Sequence, residues 1–297
     1  MTSEVQTSLI QNKTHRIAIQ GVKGAFHEIA AQKFFGKEIE LEMCDSFPTL
    51  FRSLEAGKAG FGVVAIENTV AGSLLPNYAL LRDSNYTIIG EVYLRIEHQL
   101  MVLPGQKMED IKAVHSHPMA IQQCYKFFSA YPQIKLIEDF DTAGSAQWIR
   151  EKQKKGRAAI ASRLAAQHYG LEIIAEGIET NKRNFTRFLI LLDRQLAKVY
   201  QKPVPNKSSL SFSLSTRSRQ VGSLSQILIV LSSYNMNLTK IQSLPVLGKE
   251  WEYFFHIDLE YEDYAHYAKS LDAIRPLVTK LNILGEYAQG EKYFNGE

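Results

Sequence analysis

Neutral hydrogen-bond donors recur in this sequence at the points where predicted strands end. They are hydroxyl and amide side chains: Asn68, Thr69, Ser73, Ser116, Thr142, Ser145, Asn184 and Thr186. Several of them open predicted helices, whose first backbone N–H groups have no partner within the helix and attract anions. A site built from such donors suits a small anion, above all a carboxylate, and suits a metal ion poorly.

Other patterns suggest different chemistry, but each has a simpler structural interpretation. The glycines of residues 21–24 lack the third glycine of a dinucleotide-binding loop and the pattern of a phosphate-binding loop. His115 and His117 have no nearby cysteine or carboxylate partner in the sequence, which favours a structural role over a metal pair. Glu67 follows a buried strand and fits either a general base or a carboxylate that accepts loop N–H groups. No Gly-x-Ser-x-Gly string supports a serine hydrolase, and we predict neither a cofactor nor a metal.

Strands and helices that alternate along the chain would position these donors. Apolar runs predict strands at residues 16–20, 62–66, 111–115, 136–139, 158–161 and 187–192. Helices follow several of these strands, and Ser73 and Ser116 are predicted to cap two of them. The alternation favours an α/β fold with a largely parallel sheet, in which ligands bind beyond the carboxyl ends of the strands. Residues 86–103 predict long strands that cross between two lobes, so we treat residues 16–193 as one bilobed unit of two α/β subdomains.

A second pattern begins after Pro203 and Pro205, which mark a linker at residues 194–207. The segment that follows predicts strands at residues 210–214, 238–246, 251–260 and 283–287, with helices at residues 224–231 and 264–281. This βαββαβ order is typical of a ferredoxin-like module, which we place at residues 208–287.

Composition narrows the class of protein. The 297 residues are enough for roughly two domains, and 34 lysine and arginine residues oppose 31 aspartate and glutamate residues. A net charge of +3 without a dense basic block gives no support to a nucleic-acid or anionic-membrane partner. Two distant cysteines, Cys44 and Cys124, exclude a disulfide scaffold. The polar amino-terminal residues and the short apolar runs predict a cytoplasmic protein without a signal peptide or membrane span.

Short strings that occur in a fixed order make the sequence resemble the prephenate dehydratases. They are I-E-N-T at residues 66–69 with G-S at 72–73, S-H-P at 116–118 with Q-Q-C at 122–124, D-T-A-G-S-A at 141–146, A-A-I-A-S at 158–162 and N-F-T-R-F at 184–188. The last string is the most specific single signal, and the ordered set is stronger than any one member. The βαββαβ module resembles the ACT domain that such enzymes carry.

The resemblance implies the conversion of prephenate to phenylpyruvate, with loss of CO2 and water, and it implies no cofactor or metal. The fold it implies is a periplasmic-binding-protein-like catalytic unit of two α/β subdomains, with the site in the cleft, followed by an ACT domain. It assigns the essential threonine to Thr186, whose hydroxyl would donate to the leaving oxygen. Helix N-termini and Arg187 would hold the substrate carboxylates. The substrate-binding residues that it implies are Asn68, Thr69, Ser73, Thr142, Asn184, Arg187 and Phe188.

Two rival functions remain open at this point. Many relatives place serine or threonine where this chain has Ala25, and a Gly-Ala-aromatic version also occurs in plant arogenate dehydratases. Arogenate carries an amine in place of the side-chain keto group of prephenate, so an arogenate dehydratase is one alternative. The other is a sensor of amino acids or carboxylates that binds without catalysis, which the intact string at residues 184–188 argues against.

The regulatory motifs of the ACT-like module depart from the usual pattern. Gly-Ser-Leu stands at residues 222–224 in place of Gly-Ala-Leu, and Gln-Ser-Leu-Pro stands at residues 242–245 in place of Glu-Ser-Arg-Pro. The residues expected to bind an amino-acid effector are Gly222, Ser223, Leu224 and Ser243. Because Gln242 and Leu244 replace two charged residues, we expect weak or absent inhibition by phenylalanine. ACT modules usually pair across a dimer, so we expect a homodimer or homotetramer.

Overall fold

The computed structural model describes residues 16–200, 203–214, 221–246, 248–250 and 252–291. Its strands are β1 (Arg16–Gln20), β2 (Glu40–Cys44), β3 (Phe61–Asn68), β4 (Gly72–Ser73), β5 (Tyr86–Arg95), β6 (Gln99–Val102), β7 (Ala113–Ser116), β8 (Lys135–Glu138), β9 (Arg157–Ala161), β10 (Glu172–Ala175), β11 (Phe185–Asp193), β12 (Lys207–Leu214), β13 (Asn237–Pro245), β14 (Tyr253–Glu260) and β15 (Val278–Tyr287). Its helices are α1 (Phe26–Phe35), α2 (Phe47–Glu55), α3 (Leu75–Asp83), α4 (Pro118–Phe128), α5 (Thr142–Glu151), α6 (Arg163–Tyr169), α7 (Arg194–Ala197), α8 (Ser223–Ser233) and α9 (Tyr264–Ile274). The polar amino terminus, residues 201–202 of the predicted linker and Trp251, the predicted start of a strand, lie outside the described residues.

Contacts divide the described chain into two compact units. The first comprises the residues up to 74 together with 92–188, and the second comprises 75–91 together with those from 189 onward. This division differs from the predicted boundaries, because α3 and the first part of β5 group with the carboxy-terminal residues. None of the helices in the described ranges is long and apolar enough to cross a membrane.

The first unit holds strands of two sheets. In one sheet β1 pairs in parallel with β2 and β3, and β4 pairs antiparallel with the end of β3. The other sheet has the order β10-β6-β9-β7-β8, with β7 parallel to its neighbours and β6 antiparallel to both of its own. The prediction of two α/β subdomains is confirmed, whereas the expected largely parallel sheet proves to be mixed.

The chain passes between these two sheets twice. One crossover joins β5 to β6, as predicted from residues 86–103, and the other joins β10 to β11. The crossovers touch, because the Ile96 N–H donates to the Asn184 carbonyl over 2.7 Å. Residues on the crossovers therefore lie where both sheets can contribute side chains to one site.

The second unit contains the predicted βαββαβ order, formed by β12, α8, β13, β14, α9 and β15. The four strands are antiparallel in the order β13-β14-β12-β15. Leu210, Phe212, Ile227 and Leu271 belong to the core between this sheet and its helices. Helix α9 ends at Ile274, earlier than predicted, because Pro276 in the turn that follows has no N–H to extend the helix.

The face of this sheet opposite the helices is polar and buried. Lys207, Ser209 and Ser211 alternate along β12 with the apolar core residues, and their exposed fractions are 1%, 5% and 0%. The Lys207 ammonium lies 2.9 Å and 3.2 Å from the two carboxylate oxygens of Glu91 in β5. A second carboxylate, that of Glu260, lies 3.7 Å from the same ammonium.

Candidate active site

The end of β3 and the start of β11 bring three predicted site residues into direct contact. The Asn68 amide nitrogen donates to the Asn184 side-chain oxygen over 2.8 Å and to the Thr186 hydroxyl oxygen over 2.9 Å. Asn184 and Thr186 are buried, with exposed fractions of 1% and 8%. The backbone supports the arrangement, because the Thr69 N–H donates to the Phe185 carbonyl over 2.8 Å.

The orientation of the Asn68 amide is fixed by the loop that follows β3. Its side-chain oxygen accepts hydrogen bonds from the backbone N–H groups of Val70, over 2.9 Å, and Ala71, over 2.8 Å. Its nitrogen therefore faces the opposite way and uses both protons on Asn184 and Thr186. The Thr186 oxygen is thus an acceptor in this contact, and its own proton remains available to donate. Among the described residues no acceptor is bonded to that proton.

The orientation of the Asn68 amide also determines the hydrogen-bond directions of the next residues in the series. Because the Asn184 oxygen accepts from Asn68, the Asn184 nitrogen is the donor, and it reaches the side-chain oxygen of Gln123 over 2.8 Å. The ring Nε2 of His98 lies 2.9 Å from that same Gln123 oxygen. Thr186, Asn68, Asn184, Gln123 and His98 therefore form one hydrogen-bonded series, which we call the amide chain.

Gln123 and His98 are functional candidates that the sequence did not single out. Gln123 lies in the family string Q-Q-C, which was the available signal, whereas nothing in the sequence marks His98. Gln123 projects from α4 and His98 lies on the crossover between β5 and β6. Burial lowers the pKa of His98 from its usual value, while Gln123 and Glu179 oppose that shift.

A second group of residues lies on the other face of β11. The Arg187 guanidinium is 3% exposed and donates to the Glu67 carboxylate over 3.2 Å. Ser73 is the antiparallel partner of Glu67 in β4. Because successive side chains of a strand point to opposite faces, Arg187 does not share the face of Thr186. The structure thus gives Glu67 an ion-pair partner and does not bring Arg187 to the threonine.

Two further predicted residues are engaged in structural contacts. The Thr69 hydroxyl donates to the Arg183 carbonyl and accepts from the Phe185 N–H, both over 2.9 Å. These two bonds tie the loop after β3 to the start of β11. Phe188 is 1% exposed, and its ring packs edge-on against that of His27, with the centroids 4.9 Å apart.

Two predicted helix caps are wrong. Ser73 lies in β4, and the next helix begins only at Leu75. Ser116 is the buried last residue of β7 and donates to the Ile160 carbonyl over 2.6 Å. His117 is the cap instead, and its Nδ1 accepts from the Met119 N–H over 3.2 Å, because Pro118 favours the first helical position and an extended residue before it.

The first turn of α5 is capped by an acidic side chain. Thr142 is the first helical residue, but the cap is Asp141, whose carboxylate accepts from the Gly144 N–H over 2.8 Å. Burial raises the pKa of this carboxyl, and hydrogen bonds from Gly144, Thr142 and Val22 oppose the rise. The predicted anion site at this helix is therefore occupied by a carboxylate of the chain itself.

His115 has a partner that the sequence did not reveal. Its Nδ1 lies 3.1 Å from the Asp139 carboxylate, which also accepts from the Ser145 hydroxyl over 3.0 Å. Over the described ranges, no group of three or more histidine, cysteine, aspartate or glutamate residues is arranged to hold a metal ion. The arrangement of His115, Asp139 and Ser145 links the ends of β7 and β8 to the first turn of α5.

Comparison with known proteins gives a consistent result. The family model described as prephenate dehydratase matches residues 17–196. The bifunctional chorismate mutase/prephenate dehydratase of Escherichia coli (strain K12) is 33% identical over 277 residues, which covers 92% of this chain and 70% of that protein. Arogenate dehydratase 2 of Petunia hybrida is 36% identical over 287 residues, which covers 92% of this chain and 71% of that protein.

Solved structures share the fold. The prephenate dehydratase from Arthrobacter aurescens, in complex with L-Phe, has a TM-score of 0.80 at 27% identity, and the match covers 92% of this chain and 89% of that one. A protein described as a novel type of quorum quenching acylase has a TM-score of 0.81 at 30% identity, with 92% and 98% covered. The α/β fold class predicted from the sequence is confirmed. Because the family model spans more than half of the chain and the E. coli and Petunia relatives match nearly all of it, this chain belongs to the prephenate dehydratase family.

Proposed function

We propose that this protein is a lyase that converts prephenate to phenylpyruvate. In this reaction the bond between the ring and its carboxylate breaks, and CO2 leaves. The electron pair of that bond enters the ring, which becomes aromatic, while the ring hydroxyl departs with a proton as water. Aromatisation drives the step, so the protein needs mainly to orient the ring and to assist departure of the hydroxyl.

The polarity of the amide chain is the observation that supports this proposal. Asn68 donates to the Thr186 oxygen, so the Thr186 proton is available for the departing hydroxyl. A neutral threonine is a weak acid, and we therefore assign to it a hydrogen bond that strengthens as negative charge develops on the leaving oxygen. Asn68 holds the Thr186 hydroxyl in place, and Asn184 in turn accepts from Asn68. The proton that leaves as part of water comes ultimately from solvent.

The other predicted residues take supporting roles in this proposal. Arg187 stabilises Glu67 and the pairing of β3 with β4, from the face opposite Thr186. Thr69 and Phe188 hold the loop and the strand that carry the threonine. The hydroxyl groups of Ser73 and Thr142 remain proposed donors to a substrate carboxylate, whereas backbone N–H groups at the start of α5 are taken by Asp141.

Purified protein should release phenylpyruvate from prephenate at neutral pH. Prephenate and arogenate are assayed side by side, away from acid, because acid converts prephenate without an enzyme. If the protein forms phenylalanine from arogenate but no phenylpyruvate from prephenate, it is an arogenate dehydratase. This is the second candidate, which the Petunia relative favours. A folded protein that turns over neither substrate would contradict both assignments and favour a sensor.

Inhibition by phenylalanine should be weak or absent, although the Arthrobacter relative was solved with L-Phe. We propose residues 208–287 as an ACT domain that pairs into a homodimer or homotetramer, with Gly222, Ser223, Leu224 and Ser243 as the effector residues. This motif lacks its two usual charges because Gln242 and Leu244 replace them. The side chain of Gln242 donates to the Ser243 carbonyl over 2.9 Å, and Leu244 is buried. Turnover is measured against increasing phenylalanine. Strong inhibition at micromolar phenylalanine would show that other residues bind it.

A further inference from the structure

His98 forms the end of the amide chain furthest from Thr186. Its ring is 2% exposed and packs edge-on against Phe26, with the ring centroids 5.6 Å apart. One ring nitrogen, Nε2, contacts the Gln123 side-chain oxygen. The other, Nδ1, is buried and has no hydrogen-bond partner among the described residues.

The protonation state of the His98 ring follows from the direction of the hydrogen bonds in the amide chain. The Gln123 oxygen accepts from Asn184, whose donor role was fixed by Asn68 and ultimately by two backbone N–H groups. An oxygen cannot donate, so His98 Nε2 must carry the proton in its contact with Gln123. A second proton, on Nδ1, would be buried without an acceptor, and burial lowers the pKa of His98, so the ring is a neutral imidazole protonated on Nε2 alone.

The backbones of His98 and Gln123 are held by one short segment. The Ile178 N–H donates to the His98 carbonyl over 2.9 Å, and the Thr180 N–H donates to the Gln123 carbonyl over 2.8 Å. Between them, the buried Glu179 carboxylate accepts from the His98 N–H over 2.9 Å. The spacing between the ring and the amide is thus set by backbone contacts rather than by the side chains alone.

Glu179 is balanced by two cations at the protein surface. Arg95 and Lys182 lie 3.8 Å and 3.7 Å from its other carboxylate oxygen, and both are about half exposed. Glu179 is the charged group whose field acts on the His98 ring, and Arg95 and Lys182 offset its charge. Glu97, the neighbour of His98 in the sequence, accepts instead from the side-chain nitrogen of Gln99 over 3.1 Å. Together Glu179, Arg95 and Lys182 hold the crossover segment in place without offering the ring a competing hydrogen bond.

We propose that His98 is a positioning residue for the dehydration, acting through Gln123. By donating to the Gln123 oxygen, His98 keeps the Gln123 amide nitrogen out of the amide chain. That nitrogen can then donate to an oxygen of the substrate. Among the described residues no acceptor is bonded to that nitrogen. The inference rests on the proposed function, because it requires a substrate with carboxylate or carbonyl oxygens in the same cleft.

Activity is compared between two variants of this residue. His98→Met removes the donor and should lower kcat/KM for prephenate by about 10- to 50-fold, the effect of losing one well-placed hydrogen bond. His98→Gln keeps an N–H donor of similar reach and should recover kcat/KM to within about threefold of the unmodified protein. The exposed His266→Gln serves as the matched control and should leave kcat/KM unchanged. Equal losses in the Met and Gln variants would overturn the proposal.

A second measurement does not depend on turnover. In protein labelled with 15N in its histidine rings, the His98 signals are identified by their absence from His98→Gln. We expect a proton on Nε2 alone, unchanged between about pH 5.5 and 8, and a mixture of tautomers once Gln123→Met removes the acceptor. A proton on Nδ1, or a ring that titrates across this range, would refute the assignment even if prephenate turnover is as proposed. An inactive protein that shows the expected Nε2 signal would instead refute the proposed function.

Discussion

Replacement of Thr186 by valine is expected to lower kcat for prephenate by about 10²- to 10³-fold, with little change in substrate affinity. Valine keeps the branched shape of threonine and removes only the hydroxyl, so the loss reports the hydrogen bond to the leaving oxygen. Steady-state kinetics at neutral pH measure the effect. Circular dichroism and the melting temperature establish that the fold is retained.

Thr186→Ser is the matched control, because it retains the hydroxyl and removes only a methyl group. Its kcat should stay within about tenfold of that of the unmodified protein. Nearly normal turnover in Thr186→Val would refute the proposed role of the hydroxyl. A loss confined to KM would make it a binding group and not a group that acts in the transition state.

Asn68→Asp tests the polarity of the amide chain while Thr186 itself stays intact. The new carboxylate still accepts from the N–H groups of Val70 and Ala71, so the loop after β3 should be kept. It cannot donate, and it would instead accept the Thr186 proton that the departing hydroxyl needs. We therefore expect a loss of kcat close to that of Thr186→Val. Normal turnover would show that the direction of this hydrogen bond does not matter.

The sequence predicted the buried strands well but missed β2 and β10, which lie at sheet edges, although β8 and β13, also at edges, were predicted. β1, β3, β9 and β11 carry apolar runs, because both of their faces are covered. β2 was not predicted, since it is flanked by a neighbour on one side only and alternates glutamate with apolar residues. Local sequence patterns reveal buried residues, and in β2 only Cys44 is buried.

The candidate site was predicted in part for a similar reason. Asn68, Asn184 and Thr186 lie at strand ends, where the pattern of donors includes them. Only the family resemblance, however, singled out Thr186, which by pattern alone is an ordinary strand threonine. Gln123 and His98 join them only through the crossovers, whose contacts are a property of the folded chain. The direction of each hydrogen bond also depends on the turn after β3, and no spacing rule contains that information.

Loss of the buried cation in the second unit should have the largest effect on stability. Lys207→Met is expected to reduce the free energy of unfolding by about 3–5 kcal/mol, because it leaves the Glu91 carboxylate buried without its cation. The two side chains are 1% and 0% exposed, so water cannot take the place of the lost partner. Chemical denaturation, followed by fluorescence and circular dichroism, measures the change in the transition that unfolds this unit.

Removing both charges should cost less than removing one. In Lys207→Met/Glu91→Gln no fully buried carboxylate is left without its cation, since the remaining carboxylate near Lys207, that of Glu260, is 18% exposed. The glutamine oxygen can still accept from the Gly290 N–H, which lies 3.1 Å from Glu91. The double variant should therefore be more stable than Lys207→Met alone. The exposed pair of Arg275 and Asp272, 3.8 Å apart in the same unit, provides the control, and Arg275→Met should cost far less stability than Lys207→Met. If the Lys207 and Arg275 variants lost equal stability, burial would not be what makes the Lys207 pair important, and the polar face of this sheet would have to be hydrated.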